Sequence, residues 1–176
     1  MMVRYLFGWI KIFILTLVGG CSAMEYNNTV DYIDIDRFMG KWFVIAGRVT
    51  FLEKGAHNPI EKYTFNADKD RIEIDFSFNK NSLSGPKKSI PQKAWIHNKK
   101  TNAHWKVSPF WPLKLDYLVI LNDKDYEWTV IGVPSQRYLW LMARSKNIKQ
   151  EKISEILNEV ERNGYDTKNI IYFEHN

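Results

Sequence analysis

Gly40-Lys41-Trp42-Phe43-Val44-Ile45-Ala46 opens a run of segments that read as β-strands. It follows a short helical or turn-like lead-in, Asp34 to Lys41, and is rich in β-branched and aromatic side chains. The first strand is expected at Trp42–Thr50. Others are expected at Ile60–Asn66, Arg71–Asn79, Gln92–Asn98, His104–Ser108, Asp116–Asn122, Tyr126–Val133 and Tyr138–Arg144. Gly, Pro, Asn and Asp punctuate the gaps, and Asp68-Lys69-Asp70 and Asn122-Asp123-Lys124-Asp125 suit hairpin loops. In 71–79, Ile72, Ile74, Phe76 and Phe78 oppose Glu73, Asp75 and Ser77, the period of a strand with one wet face. Eight strands so closely spaced predict a sandwich or an up-and-down barrel.

One helix follows the strands. Asn147 with Gln150 suits a capping box, Ile153, Ile156, Leu157 and Val160 form an apolar stripe, and Gly164 suits the end. A last strand is expected at Asn169–Phe173.

The other end of the chain reads as an export signal. Arg4 and Lys11 precede the apolar run Ile12 to Val18, then Gly19, Gly20 and the single cysteine, Cys21. The run is too short to span a bilayer. Its end resembles a bacterial lipobox, with Val18 where leucine is usual; the plainer alternative is a signal peptide with an incidental cysteine. Residues 1–20 are thus expected to be a lipoprotein signal peptide, 21–33 a lipidated tether and 34–176 the folded domain. Removing the leader leaves 156 residues, enough for one core. The chain is 45% hydrophobic and 15% aromatic, with seven tryptophans, which suits a large core or an apolar pocket. Its net charge of +5 falls to +3 without the leader, which does not point to nucleic acid. One cysteine makes no internal disulfide, and lipidation of Cys21 gives it a role.

Three motifs now stand in order. Gly40-Lys41-Trp42 resembles the lipocalin G-x-W motif, Asp116-Tyr117 after Leu115 the T-D-Y motif, and Arg144 the third motif at the end of the eighth strand. Stretches such as Glu53-Lys54-Gly55, Lys106-Val107-Ser108, Tyr138-Leu139-Trp140 and Arg162-Asn163-Gly164-Tyr165-Asp166 are similar to bacterial outer-membrane lipoprotein lipocalins. The resemblance spans about residues 30–175. It implies an all-β fold: an eight-stranded antiparallel up-and-down lipocalin barrel with a C-terminal α-helix and a short final strand. It also implies that Arg144 lies across the Trp42 indole at a closed end, a structural rather than ligand-binding role. Leu115 in place of threonine departs from the pattern. So does Gly47, which either widens the pocket mouth or marks a bulge.

If Trp42 faces inward, alternation puts Val44 and Ala46 inside as well. Tyr63 and Phe65, Ile74 and Phe76, and Trp95 and Trp105 are the other candidates for a ligand wall; the same faces also suit ordinary core. Arg48, Lys54 and His57, near the loop after the first strand, are the candidates for meeting a carboxylate or phosphate head group, or else are solvated surface. His57, His97, His104 and His175 show no metal-ligand spacing, and no nucleophile elbow, P-loop or zinc-protease motif is present. No cofactor, metal or catalytic residue is expected. The resemblance implies a protein lipid-anchored in the bacterial outer membrane, on its periplasmic side, that binds a fatty acid or lysophospholipid for storage or transport in envelope maintenance. The alternatives are a lipid-modifying enzyme on the same barrel and an interaction lipoprotein with a filled barrel. A homodimer is left open.

Overall fold

The computed structural model describes residues 25–53 and 55–176, with only the backbone of Leu52. Cys21, with the signal-peptide and lipidation readings, and Lys54 lie outside these residues. The elements are α1 (Ile35–Phe38), β1 (Gly40–Arg48), β2 (Ala56–Asn66), β3 (Arg71–Lys80), β4 (Lys87–Ile96), β5 (His104–Ser108) and β6 (Leu115–Asn122). β7 (Trp128–Gly132), β8 (Leu139–Ala143), α2 (Gln150–Arg162) and β9 (Ile171–Tyr172) complete them. Each of β1 to β8 pairs antiparallel with its neighbour in sequence, and β1 pairs with both β8 and β2, closing an eight-stranded barrel. β9 adds to β1 as an extra strand.

Strand bounds differ from the sequence reading mainly at β2 and β4, which start four and five residues earlier. Both gained stretches are polar, His57-Asn58 and Lys87-Lys88-Ser89, so composition concealed them. The Asp68 loop is a one-turn 3₁₀ helix: Asn66 Oδ1 accepts from the Lys69 N–H, and Asp70 takes the left-handed conformation at φ 43°. The helix cap also differs. Lys149 precedes α2 without a side-chain cap, and the Asn147 N–H instead donates to Ser145 Oγ.

β1 carries a bulge: Val44 pairs with Met142 but Ala46 with Leu141. The extra residue reverses the alternation. Val44 stays in the barrel core, whereas Ala46 joins the cluster between barrel and helix. Gly47 follows the bulge, and a Cβ there would stand 2.4 Å from the Leu139 carbonyl oxygen.

β1 and β2 pair only over Gly40–Phe43. Above that the C-terminal tail fills the seam. The Phe173 N–H donates to the Ile45 carbonyl at 2.9 Å, and the Asn58 N–H to the Glu174 carbonyl at 2.8 Å. His175 Nε2 lies 2.8 Å from the Val44 carbonyl, and its ring meets Phe43 edge-on.

Helix α2 lays Ile153, Ile156 and Val160 on the outer face of β6 to β8. The following Tyr165 is buried; a Cβ on Gly132 would lie 2.6 Å from its ring. The Tyr165 hydroxyl accepts from the Val133 N–H at 2.8 Å and has the Val133 and Tyr138 carbonyls at 3.1 and 2.5 Å for its own proton. Burial pushes this phenol up to about 12, so it remains a donor at any working pH. Tyr165→Phe leaves two carbonyls and an amide short of a partner. It is expected to cost about 1–3 kcal/mol and to shift the midpoint of chemical denaturation without changing its slope.

Residues 26–33, read above as tether, pack on the barrel. Tyr26 is buried edge-on against Tyr165, its N–H donates to the Pro134 carbonyl, and Ile33 is fully buried. Tyr26, Val30 and Ile33 are apolar anchors spaced through an otherwise polar stretch.

Candidate functional site

The closed end is built from the chain's first motif and its last. Trp42 is fully buried, and its Nε1 donates to the Phe38 carbonyl at 2.8 Å. The Arg144 guanidinium lies 3.7 Å over the Trp42 ring. It also donates to the carbonyls of Lys41 (2.9 Å), Arg37 (2.7 Å), Phe38 (3.1 Å), Met39 (2.9 Å) and Tyr126 (3.3 Å). The planar fork satisfies carbonyls around α1, where the chain leaves the one-turn helix, while its face sits on the indole. A Cβ at Gly40, whose φ is +98°, would press on the same guanidinium at 3.3 Å. Phe38, Tyr63 and Trp105 pack edge-to-face above this layer, with ring centroids 5.1 to 6.0 Å apart.

Beyond that floor the barrel is hollow. A cavity of about 520 Å³ opens at the opposite end. Tyr63, Ile74, Phe76, Ile90, Val107 and Met142 form its apolar wall, and Phe51, Phe110, Leu113, Lys114 and Arg137 stand at its mouth. The volume is in the range of sites that bury a small ligand. The mouth exposes large apolar side chains: Phe51 is 77% exposed, Phe110 55% and the neighbouring Trp111 90%.

Polar groups interrupt the wall, among them Glu53, Glu61, Tyr63, Gln92 and Tyr117. The Tyr63 and Tyr117 hydroxyls are hydrogen-bonded to each other at 2.7 Å. Glu53 is buried, its Oε2 accepting from the Thr50 N–H and hydroxyl at 2.8 Å each and its Oε1 from Trp140 Nε1 at 2.7 Å. Burial nevertheless holds the Glu53 carboxyl above its ordinary range, against those donors. Glu61 on β2 lines the cavity without such partners. Burial, then the charges of Glu53 and Asp75, push its carboxyl well above the usual range.

Of the wall residues expected from the sequence, Tyr63, Ile74 and Phe76 line the cavity. Val44 and Trp105 are fully buried in the core, and Phe65 packs against it. Trp95 lies under the Lys114 ammonium, 4.8 Å away. Ala46 is on the other face, turned there by the bulge. The same reversal carries Arg48 away from the cavity. Its guanidinium binds the carbonyls of Gln136, Arg137, Asp166 and Lys168 and pairs with Asp166 at 3.5 Å. His57 pairs with Glu174 of the tail at 3.6 Å. Neither lines the cavity; among the described residues Lys114 and Arg137 are the cations at the mouth.

Asp116, also at the mouth, pairs with Lys106 at 2.5 Å and His104 at 2.6 Å. Burial alone would raise its pKa, but these two partners outweigh it and hold the carboxyl below its usual range. The sequence offers Glu53 and Trp140 only as parts of stretches that carry the resemblance, and gives neither them nor Glu61 a place in the cavity, although Glu61 stands in phase with Tyr63 and Phe65 and alternation alone turns it inward. Among the described residues no group of three His, Cys, Asp or Glu side chains is placed to hold a metal ion.

A closed antiparallel barrel, floored by an arginine on a tryptophan and hollow above it, defines the class of calyx proteins that take up small hydrophobic molecules. The chain belongs to the lipocalin-like family, whose domain model matches residues 33–175. It is 28% identical over 159 residues to the outer membrane lipoprotein Blc of Escherichia coli, covering 89% of each chain. It is 25% identical over 158 residues to the Vibrio cholerae protein of the same name, covering 89% of this chain and 91% of that one. Insecticyanin from the tobacco hornworm Manduca sexta shares the fold at TM-score 0.64 and 16% identity, over 85% of this chain and 84% of its own.

Proposed function

We propose that this protein is a lipid-anchored lipocalin of the bacterial outer membrane that holds the acyl tail of a fatty acid or lysophospholipid in its barrel, for storage or transport in envelope maintenance. The observation that carries the reading is the 520 Å³ cavity, walled by apolar side chains and open at one end. Burying about 16 methylenes contributes on the order of 12 kcal/mol gross. Lost freedom on binding takes back several kcal/mol, which still leaves micromolar or tighter affinity. The tail enters first, leaving an anionic head near Lys114 and Arg137.

The names of the two bacterial relatives support the membrane assignment. So does the placement of Glu25 and Tyr26, the first of the described residues. Glu25 lines the mouth, and Tyr26 is bonded to Pro134 of the rim. Cys21 precedes Glu25 by four residues, which reach at most about 15 Å. Acylation there holds the mouth, with its exposed Phe51, Phe110 and Trp111, against the membrane surface. Among the described residues no helix is long and apolar enough to cross a membrane.

A hollow barrel disfavours the filled-barrel interaction protein. The two cavity carboxyls keep the lipid-modifying enzyme in view. The hydroxyls nearest them argue for binding: Thr50 Oγ1 is tied to Glu53, and Tyr63 is paired with Tyr117.

The test is to express residues 22–176, extract with organic solvent and identify bound lipid by mass spectrometry. Co-purified lipid, or binding of added lysophospholipid or fatty acid by fluorescence titration, is expected. A protein that is empty and ignores both refutes the reading, and turnover of a bound lipid would favour the enzyme. A separate prediction concerns the anchor. Cys21→Ala is expected to fold normally and move from the membrane to the soluble fraction; retention in the membrane would count against acylation.

A further inference from the structure

The strangest group in the cavity is Glu61. It sits on β2 opposite Trp42 of β1 and Phe76 of β3, in phase with Tyr63, so it points into the hollow that it lines. Among the described residues its Oε2 is sealed from solvent and has no hydrogen-bond partner. Among the described residues it joins no ion pair. The charges it feels are of its own sign: Glu53 from the β1–β2 segment and Asp75 from β3. Its other titratable neighbours are the phenols Tyr63 and Tyr117. Glu53 next to it is fully bonded within the protein and needs nothing more.

A buried acid without a partner destabilises a fold, and a barrel wall tolerates Gln or Leu at such a place. An acid that faces a ligand cavity and has no partner among the described residues is therefore a binding group awaiting its counterpart. We propose that Glu61 is a subsite for a protonated amine, so that the cavity also takes a hydrophobic amine, an aliphatic body with one ammonium, in preference to its uncharged analogue. Burial favours the neutral acid, so the Glu61 carboxyl gives up its proton to the entering amine, and the resulting carboxylate and ammonium pair. Its chain lies along Ile74, Phe76 and Ile90. A carboxylate or phosphate at this depth meets two acids and, among the described residues, no cation. A hydroxyl offers one hydrogen bond and no charge.

The inference rests on the cavity holding a lipid-like guest, and goes beyond it by naming the head group the interior selects. The experiment titrates the purified protein at neutral pH with dodecylamine, dodecanol and dodecanoate, each below its micelle concentration, followed by tryptophan fluorescence. Trp140 in the cavity wall supplies the signal. The amine is expected to bind at least tenfold tighter than the alcohol, and dodecanoate to bind with its head at the mouth, unaffected by Glu61→Gln. In Glu61→Gln the amine-to-alcohol ratio is expected to fall to about one, and the unliganded variant to melt a few degrees higher, since an unpaired acid is removed.

An amine-to-alcohol ratio near one in the unaltered protein, or a ratio unchanged in Glu61→Gln, overturns the amine subsite while leaving the lipid cavity standing. Failure of all three ligands to bind overturns both. If Glu61→Gln fails to fold, the ranking on the unaltered protein decides alone.

Discussion

Arg144→Ala is expected to destabilise the barrel by about 3 kcal/mol or more, lowering the melting temperature by roughly 6–12 °C. The guanidinium satisfies the carbonyls of Arg37, Phe38, Met39, Lys41 and Tyr126 and covers Trp42 at 3.7 Å. Hydrogen bonds to a charged group contribute more than neutral ones, and truncation leaves their partly buried acceptors unpaired. Arg144→Lys is expected to recover less than half of the loss. An ammonium has three donors, no flat face for the indole, and no fork that reaches both sides of α1. Denaturant midpoints of the three proteins measure this. A loss below about 1 kcal/mol for alanine would mean that Phe38, Trp42 and Trp105 hold the floor by packing alone.

The floor was legible because both of its partners sit in motifs with a fixed place in the barrel. Trp42 follows Gly40 at the first strand's start, and Arg144 follows β8 directly. The strands were legible wherever one face is wet, as in β3 with Ile72, Ile74 and Phe76 alternating with Glu73 and Asp75. Position within a strand fared worse at β1. A single bulge after Val44 sends Ala46 and Arg48 to the outer side, against simple alternation. Nothing local distinguishes a bulge from a regular strand except Gly47, whose close approach to Leu139 is a contact between residues more than ninety apart in sequence.

Long-range contacts also hid the seam. Phe173, Glu174 and His175 bond to Ile45, Asn58 and Val44 across most of the chain. A tail of that kind reads only as a short strand. The same holds for Glu53: its three donors come from Thr50 nearby and Trp140 far away, so the sequence shows an acid in a loop and not a buried one. Glu61 is the opposite case. Its phase with Tyr63 was visible, and the habit of assigning glutamate to the wet face concealed it.

The cavity itself yields the other large effect. Gln92 on β4 pairs with Ile74 of β3 and is half-buried on the cavity wall. Below it the core is filled by fully buried Ile72, Ala94 and Trp105, so a larger side chain at 92 has only the hollow to enter. Gln92→Trp is therefore expected to keep the fold while placing an indole where the tail lies. Excluding four methylenes forfeits about 3 kcal/mol of burial. That weakens binding of a long-chain lipid by roughly a hundredfold. Stability is expected to hold or rise, because filling a void adds contacts that the empty cavity lacks. Thr64→Trp is the matched control: Thr64 stands between Tyr63 and Phe65 on the exposed side of β2, and an indole there leaves the hollow untouched. Titration with lysophospholipid compares the two variants. A hundredfold loss for Gln92→Trp alone places the ligand inside the barrel. Equal affinity for both variants and the parent protein would move the ligand out of the barrel and onto the exposed rim of Phe51, Phe110 and Trp111, leaving the cavity without a tenant.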